Sequence, residues 1–397
     1  MPKISKKGQE LPSSPIRKLV SHADEAKSRG IEILHLNIGQ PDINAPAEAM
    51  EIIRNHNLKL LPYGSSQGSL SYRKKLCRYY KQHDISIDAD DIIVTTGASE
   101  ALSFTLNVIC DAGDQIIIPE PFYANYNGFA ASSSLDVIPV ASNFENKFEL
   151  PPVKDFEEKI TDKTRAILIC NPNNPTGYLY TIAEINSLVD LAVEKDIFII
   201  VDEVYREFIY TDSKHYSILQ NKKANLHSIM IDSVSKRYSL CGARVGCMIS
   251  KNKKLMSTAL KFAHLRLSPP SLALMASEAA ITAPKSYLEN VKKEYTIRRK
   301  VVIEALEKIK DVKVSIPMGA FYCIVKLPVN NAEDFSKFLL SDFQHDGQTV
   351  MLAPAAGFYT SPGLGKDQVR LAFVLESSKL KRAVEILEKA LVAYNNL

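Results

Sequence analysis

The chain contains no tryptophan, and its 49 lysines and arginines outnumber its 45 acidic residues by a formal charge of only +4. A protein that grips nucleic acid or an anionic membrane surface carries a strong, clustered basic excess, so neither partner is expected. The basic start from Lys3 to Lys7 reads as a solvated arm. No run approaches the ~20 apolar residues of a membrane span, and the N-terminus lacks an apolar signal core. The six cysteines form no C-x-x-C pair and sit mostly in apolar runs such as Ile167-Leu168-Ile169-Cys170. Reduced core thiols and a cytoplasmic protein are the expectation. G-x-G-x-x-G, G-x-x-x-x-G-K-[ST] and H-E-x-x-H are all absent, which removes the standard dinucleotide, P-loop and zinc-protease readings; no metal site is expected.

What is present is an ordinary globular balance, 46% hydrophobic and 24% charged over 397 residues, long enough for one large domain and a smaller one. From 92 to 250 a short apolar run, a polar or Gly/Pro-containing turn and a helix-like segment alternate, the rhythm of a parallel sheet. Strands are expected at 92–95, 115–118, 137–140, 166–170, 197–202, 228–232 and 246–250, several of them apolar on both faces as buried parallel strands must be. Helices are expected at 99–111, 122–132 and 182–195. A long helical tract over 253–309 is broken at Pro269-Pro270 and Pro284, where proline removes a backbone donor. Strands at 313–316, 321–327 and 368–374, with helices at 332–343 and 379–394, suggest a small α+β unit. The expected fold is α/β, a three-layer, mostly parallel central sheet over 47–285, with 1–46 and 286–397 forming the smaller domain.

Ligands of open α/β sheets bind beyond the carboxyl ends of the strands, so the residues that follow each strand carry the functional argument. The first strand delivers Thr96-Gly97-Ala98-Ser99 onto a helix start, where free N–H groups suit a phosphate, although a plain helix cap would look the same. The strand at 166–170 ends in Asn171-Pro172-Asn173-Asn174-Pro175-Thr176-Gly177, whose turns could fix an asparagine side chain or merely connect two elements. Asp202-Glu203 follows Ile199-Ile200-Val201, and a buried acid there needs a cation. Ser233-Val234-Ser235-Lys236, then Gly242, Arg244 and Gly246, complete the edge. A helix start, an amide, an acid and a lysine–arginine cluster converge on a site for a phosphate and a cationic heterocycle.

These residues resemble the class I aminotransferases, pyridoxal-phosphate enzymes of fold type I, over nearly the whole chain. The likeness is carried by Ser233-Val234-Ser235-Lys236 with Arg244 eight positions on, by the Asn171–Gly177 segment, and by Leu36-Asn37-Ile38-Gly39-Gln40-Pro41-Asp42. Tyr63 ahead of Gly68, Gly97-Ala98-Ser99-Glu100-Ala101-Leu102, Pro121-Phe122-Tyr123, Asp202-Glu203-Val204-Tyr205 and Val369-Arg370-Leu371 follow in the family's order. The resemblance implies that Lys236 carries pyridoxal 5′-phosphate covalently and later moves the substrate's Cα proton. It implies that Asp202 faces the pyridine nitrogen, that Asn174 and Tyr205 meet the phenolic oxygen, and that Tyr123 stacks on the ring. Gly97, Ala98, Ser99, Ser233 and Arg244 would cradle the phosphate, with Tyr63 reaching it from a second subunit of a homodimer. Arg370 would clamp the substrate α-carboxylate with the Gly39 backbone, drawing the lobes together, and the substrates would be an amino acid and a 2-oxo acid.

Two short motifs point elsewhere and fail in context. Gly64-Ser65-Ser66-Gln67-Gly68 matches a hydrolase nucleophile elbow, but the stretch before it, ending in Pro62-Tyr63, is a poor buried strand. Ser233-Val234-Ser235-Lys236 matches S-x-x-K, yet the companion S-D-N and K-T-G motifs are missing. Related chains on this fold also carry out β-elimination, decarboxylation or cyclopropane formation, and a C–S lyase is the alternative reaction; regulators that borrow the fold carry an added DNA-binding segment. In one aspartate-using branch a lysine precedes the Q-A-L segment, where this chain has Ser99. Arg266, in Leu265-Arg266-Leu267-Ser268-Pro269-Pro270, lies near the stretch where another branch carries a specificity arginine, and it is expected either to meet a distal carboxylate across the dimer or to form a structural ion pair. Aspartate with 2-oxoglutarate is the expected substrate pair, with alanine, aromatic and basic amino acids as alternatives.

Overall fold

The computed structural model describes residues 2–12 and 17–396. Among the described residues, thirteen strands make three sheets. The largest has seven strands, β2 (Ile92–Thr95), β3 (Gln115–Glu120), β4 (Asp136–Ala141), β5 (Thr164–Cys170), β6 (Phe198–Asp202), β7 (Ser228–Ser233) and β8 (Gly246–Ile249), in the spatial order β2-β8-β7-β6-β5-β3-β4. Every pairing is parallel except those of β8, which runs antiparallel to β2 and β7.

Alternation along these strands divides the interior in two. Ile93, Leu168, Ile200, Ile231 and Met248 join one buried cluster, which takes in the helices Gly97–Ile109 and Lys253–Arg266. Ile92, Val94, Ile169, Val201 and Ile249 point the other way, against the helices Leu70–Lys81 and Ile182–Glu194. Helices thus cover both faces, which gives the three layers expected and explains strands with no polar face. Each fully buried Ile or Leu contributes about 1.5–3 kcal/mol, so the doubly covered sheet is the rigid part of the molecule.

A four-stranded antiparallel sheet, order β12-β13-β10-β9, is built from β9 (Lys313–Val314), β10 (Tyr322–Lys326), β12 (Ala353–Pro354) and β13 (Gln368–Ala372). A two-stranded parallel sheet pairs β1 (Glu32–His35) with β11 (Gln348–Met351), so the start of the chain packs on its end, with Leu19, Ala23 and Ile33 against Leu340 and Met351.

Local chemistry sets the element ends. The helix expected at 99–111 starts at Gly97, whose φ of +74° turns the chain out of β2. The helix expected from 122 begins at Asn125, and the Phe122 N–H ahead of it bonds the Phe358 carbonyl. The 253–309 tract divides at both proline sites into Lys253–Arg266, Ser271–Ala280 and Lys285–Leu306. Among the described residues, no helix is long and apolar enough to cross a membrane.

Candidate active site

β5, β6 and β7 run parallel and stop together, with Cys170 opposite Asp202 and Asp202 opposite Ile231. Their extensions, the start of the Gly97–Ile109 helix and the Gly39 segment enclose a cleft of about 570 Å³. Gly39, Ala98, Ser99, Tyr123, Asn174, Asp202, Tyr205, Ser233, Lys236, Arg244 and Arg370, all singled out from sequence, line it.

At one end is an anion cradle. Thr96 gives its helix no side-chain cap, so the first N–H groups of Gly97–Ile109 stay open except for the Thr96 N–H, which Glu100 accepts at 2.8 Å. Gly246 packs so tightly under this start that a Cβ on it would lie 2.7 Å from the Ala98 nitrogen, and a Cβ on Gly97 would lie 2.5 Å from Arg244 Nη2. Only glycine lets the backbone and the guanidinium approach this closely. Ser233 Oγ, 2.8 Å from Ser235 Oγ and 2.9 Å from the Val245 carbonyl, sits beside them.

At the centre lies Asp202, 5% exposed. It accepts from Tyr126 Oη at 2.8 Å and from the Val204 N–H at 3.3 Å. Burial pushes its carboxyl up to about 6, against the lowering effect of those bonds. Lys236, on the short helix Val234–Arg237, donates to the Gly39 carbonyl at 2.8 Å, with Cys241 Sγ at 3.9 Å. Tyr205 Oη is 3.0 Å from Tyr322 Oη, and Tyr123 Oη accepts from Asn125 at 2.8 Å.

The other end is made by Arg370, on β13 of the four-stranded sheet. Its guanidinium donates to Asn174 Oδ1 at 3.0 Å and to the Asn37 carbonyl, and lies 4.4 Å and 4.9 Å from the ring centres of Tyr322 and Phe358. These partners are all neutral, and Nε finds no acceptor among the described residues. A cation 2% exposed among neutral groups is incomplete without an anion.

Three expected residues, Gly97, Tyr63 and Arg266, do not line the cleft; Gly97 lies just beneath it against Arg244. Tyr63 is 81% exposed and does not line the cleft of its own chain. Arg266 is turned away: it donates to the Ser66 and Val94 carbonyls at 2.9 and 3.2 Å and lies 3.4 Å from Glu100. The structural ion pair, one of the two roles expected of Arg266, is the one its contacts describe. Sequence reasoning missed Tyr126, Tyr322, Asn37 and Arg17. The first three act through a phenol or a backbone carbonyl, for which no motif exists; Arg17 lines the cleft but comes from the N-terminal segment, far from any strand end.

The family profile for aminotransferase class I and II matches residues 31–387. The chain belongs to that family. An aspartate aminotransferase of Pyrococcus horikoshii is 30% identical over 384 residues, 95% of this chain and 94% of the relative. A (5-formylfuran-3-yl)methyl phosphate transaminase of Methanocaldococcus jannaschii is 30% identical over 394 residues, 98% of this chain and 99% of the relative. The solved aspartate aminotransferase from Thermotoga maritima superposes with a TM-score of 0.89 at 28% identity, over 98% of this chain and all of its own.

The aminotransferase uses pyridoxal 5′-phosphate, and the cleft fits that group. The uncapped helix start answers its phosphate, and the raised carboxyl of Asp202 answers a protonated ring nitrogen. Lys236, the one lysine lining the cleft, answers its aldehyde. Gly39 sets the opposite wall, for a Cβ there would stand 1.6 Å from Tyr322 Oη. Gly39→Ala is therefore expected to displace Tyr322 from Arg370 and Tyr205 and to lower kcat/KM for the amino acid roughly tenfold or more. Steady-state kinetics checks this.

Proposed function

We propose that the enzyme transfers the amino group of aspartate to 2-oxoglutarate. The observation that carries the dicarboxylate reading is the charge of the cleft: Arg17, Lys236, Arg244 and Arg370 line it against a single carboxylate, Asp202. Arg244 would hold the cofactor's phosphate, Arg370 would clamp the α-carboxylate, and Lys236 would carry the cofactor. Arg17 then remains for a second acidic group on the substrate. No hydrogen bond or ion pair engages its guanidinium among the described residues.

Bound pyridoxal 5′-phosphate supplies an electron sink for the pair released when the substrate's Cα–H bond breaks. The chain's residues do the rest. Gly97, Ala98, Ser99, Ser233 and Arg244 would hold the phosphate, Tyr123 would cover the ring, and Asp202, itself fixed by Tyr126, would keep the ring nitrogen protonated. Asn174 and Tyr205 donate to the phenolic oxygen. Arg370 orients the α-carboxylate beside Gly39 so that the Cα–H faces Lys236. Once freed, the Lys236 amine takes that proton and returns it.

Residues 47–285 form the cofactor-binding domain in this reading, and 1–46 with 286–397 form the domain that closes on the substrate. The separate sheets and the Lys236–Gly39 bond between the two parts support it. Tyr63 completes the phosphate site of a second copy in a cytoplasmic homodimer. Its exposure supports this, as do the neighbouring Leu60, Leu61 and Leu265, exposed at 75%, 59% and 83%. The Ser271 hydroxyl bonded to the Pro62 carbonyl joins the two segments that carry them.

The test is a panel of amino donors with 2-oxoglutarate. Aspartate and glutamate are expected to give the highest kcat/KM; a preference for alanine, aromatic or basic donors overturns the substrate, and release of ammonia with pyruvate overturns the reaction class. Arg17→Gln is expected to lower kcat/KM roughly tenfold for aspartate and less than about twofold for alanine. An equal loss for both donors removes Arg17 from specificity.

A further inference from the structure

Behind the cleft, three ionisable side chains meet out of contact with bulk solvent. Glu203, the neighbour of Asp202, has a side chain 0% exposed, Arg206 2% and His215 7%. Arg206 Nη1 is 3.6 Å and His215 Nδ1 is 3.9 Å from Glu203 Oε2. These are ion-pair distances beyond hydrogen-bond reach, and all three atoms are buried with no hydrogen-bond partner among the described residues. The other oxygen of Glu203 and the other ring nitrogen of His215 are engaged. Glu203 Oε1 accepts from Ser217 Oγ and the Ile218 N–H, both at 2.9 Å, and His215 Nε2 lies 3.1 Å from the Asn171 carbonyl.

A carbonyl only accepts, so Nε2 carries the ring proton and Nδ1 presents a lone pair. Burial, with Arg206 and then His83 and Arg237 nearby, holds the imidazole well below its ordinary value and hence neutral. With Glu203 ionised, above the value of about 7 to which burial raises it, the meeting point has one donor, Arg206 Nη1, and two acceptors, Glu203 Oε2 and His215 Nδ1. A single water supplies the complement: one lone pair for the arginine and two protons for the acceptors.

We propose that Glu203, Arg206 and His215 bind one buried water, and that His215, fixed by it, is a positioning residue for the reaction. The held carbonyl explains why. Asn171 donates its N–H to the Asp202 carbonyl at 2.9 Å and accepts the Tyr180 N–H on Oδ1 at 3.1 Å, so it ties the end of β5 to the end of β6. Three residues on is Asn174, bound to Arg370. One residue, Asn171, held at its carbonyl by His215 and at its N–H by the Asp202 carbonyl, therefore links His215 to the places where Asn174 and Asp202 stand. The mechanistic part rests on the roles proposed above for those two residues; the water and the tautomer do not.

Nitrogen-15 NMR of histidine-labelled holoenzyme tests the tautomer. His215 is expected to stay neutral and protonated on Nε2 from pH 5 to 9, with ordered density bridging the three side chains in a high-resolution crystal structure. An Nδ1–H tautomer, a ring that titrates near its ordinary value, or no density at that point overturns the water site. For positioning, His215→Phe is expected to lower kcat roughly tenfold or more and to move the pH midpoint of the visible band by roughly half a unit or more. His215→Gln, which can still donate to Asn171, is expected to recover most of both. A fall in Tm with an unmoved midpoint, or no recovery in the glutamine variant, overturns the positioning role. Failure of the wild type to transaminate overturns the proposed function and leaves the tautomer and density results standing.

Discussion

Lys236→Ala is expected to lower kcat by roughly 10⁴-fold or more and to remove the visible band of the loaded protein, while the fold persists. Lys236 is asked to do three things: attach the cofactor, accept a proton and return it. No second amine lines the cleft to take over any of them. Its structural contribution is small by comparison. Its one short hydrogen bond is to the Gly39 carbonyl, which faces the cleft and can bond water instead, and the contact with Cys241 Sγ is long at 3.9 Å, so the variant loses about 1 kcal/mol of stability. Circular dichroism and Tm close to those of the wild type, alongside lost turnover, separate chemistry from folding.

Asp202→Asn is expected to act in opposite directions on the empty and the loaded protein. In the empty protein, burial raises the carboxyl from 3.8 to about 6. A raised carboxyl favours folding in its protonated form, so its stabilisation is fully present below pH 4 and is lost as pH rises through about 6. The loss is on the order of 3 kcal/mol. Asparagine cannot ionise and keeps an acceptor for Tyr126. Apo-enzyme stability measured by urea unfolding should therefore fall less in Asp202→Asn than in wild type between pH 4 and 7. The comparison isolates Asp202 from Glu203, which burial raises to about 7 with the same sign. Once loaded, Asp202 has its cation, and removing the charge is expected to cut kcat roughly 10³-fold. Equal pH slopes in the two apoproteins would contradict the burial argument; full activity of the variant would contradict the role.

Much of this site was legible in the sequence because its parts are local. Asp202 ends a buried strand and Asn174 and Lys236 follow within four residues of one, and the strands announce themselves as apolar runs too short for helices. The N-terminal helices Val20–Ser28 and Ala47–Asn55 and the strand β1 were less visible, since a four-residue strand gains its identity from a partner more than 300 positions away. Tyr126 and Asp202 are 76 residues apart, and no spacing rule joins them. Arg370 was readable as a carboxylate clamp, but its uncharged surroundings, which make the demand for an anion physical, come from Asn37, Tyr322 and Phe358. Arg266 shows the limit of reading by neighbourhood. Its position near Pro269-Pro270 was right for the segment, but the carbonyls of Ser66 and Val94 and the carboxylate of Glu100 decided where its guanidinium points.

The central claim is that Lys236 and the groups around it run two opposite half-reactions on one cofactor. The direct measurement is the visible spectrum of the purified protein saturated with pyridoxal 5′-phosphate, titrated first with aspartate alone and then with 2-oxoglutarate alone. The yellow band is expected to bleach in the first titration and return in the second, with one oxaloacetate and then one glutamate formed per site. A protein that stays colourless with added cofactor, or a band that neither substrate changes, contradicts the account.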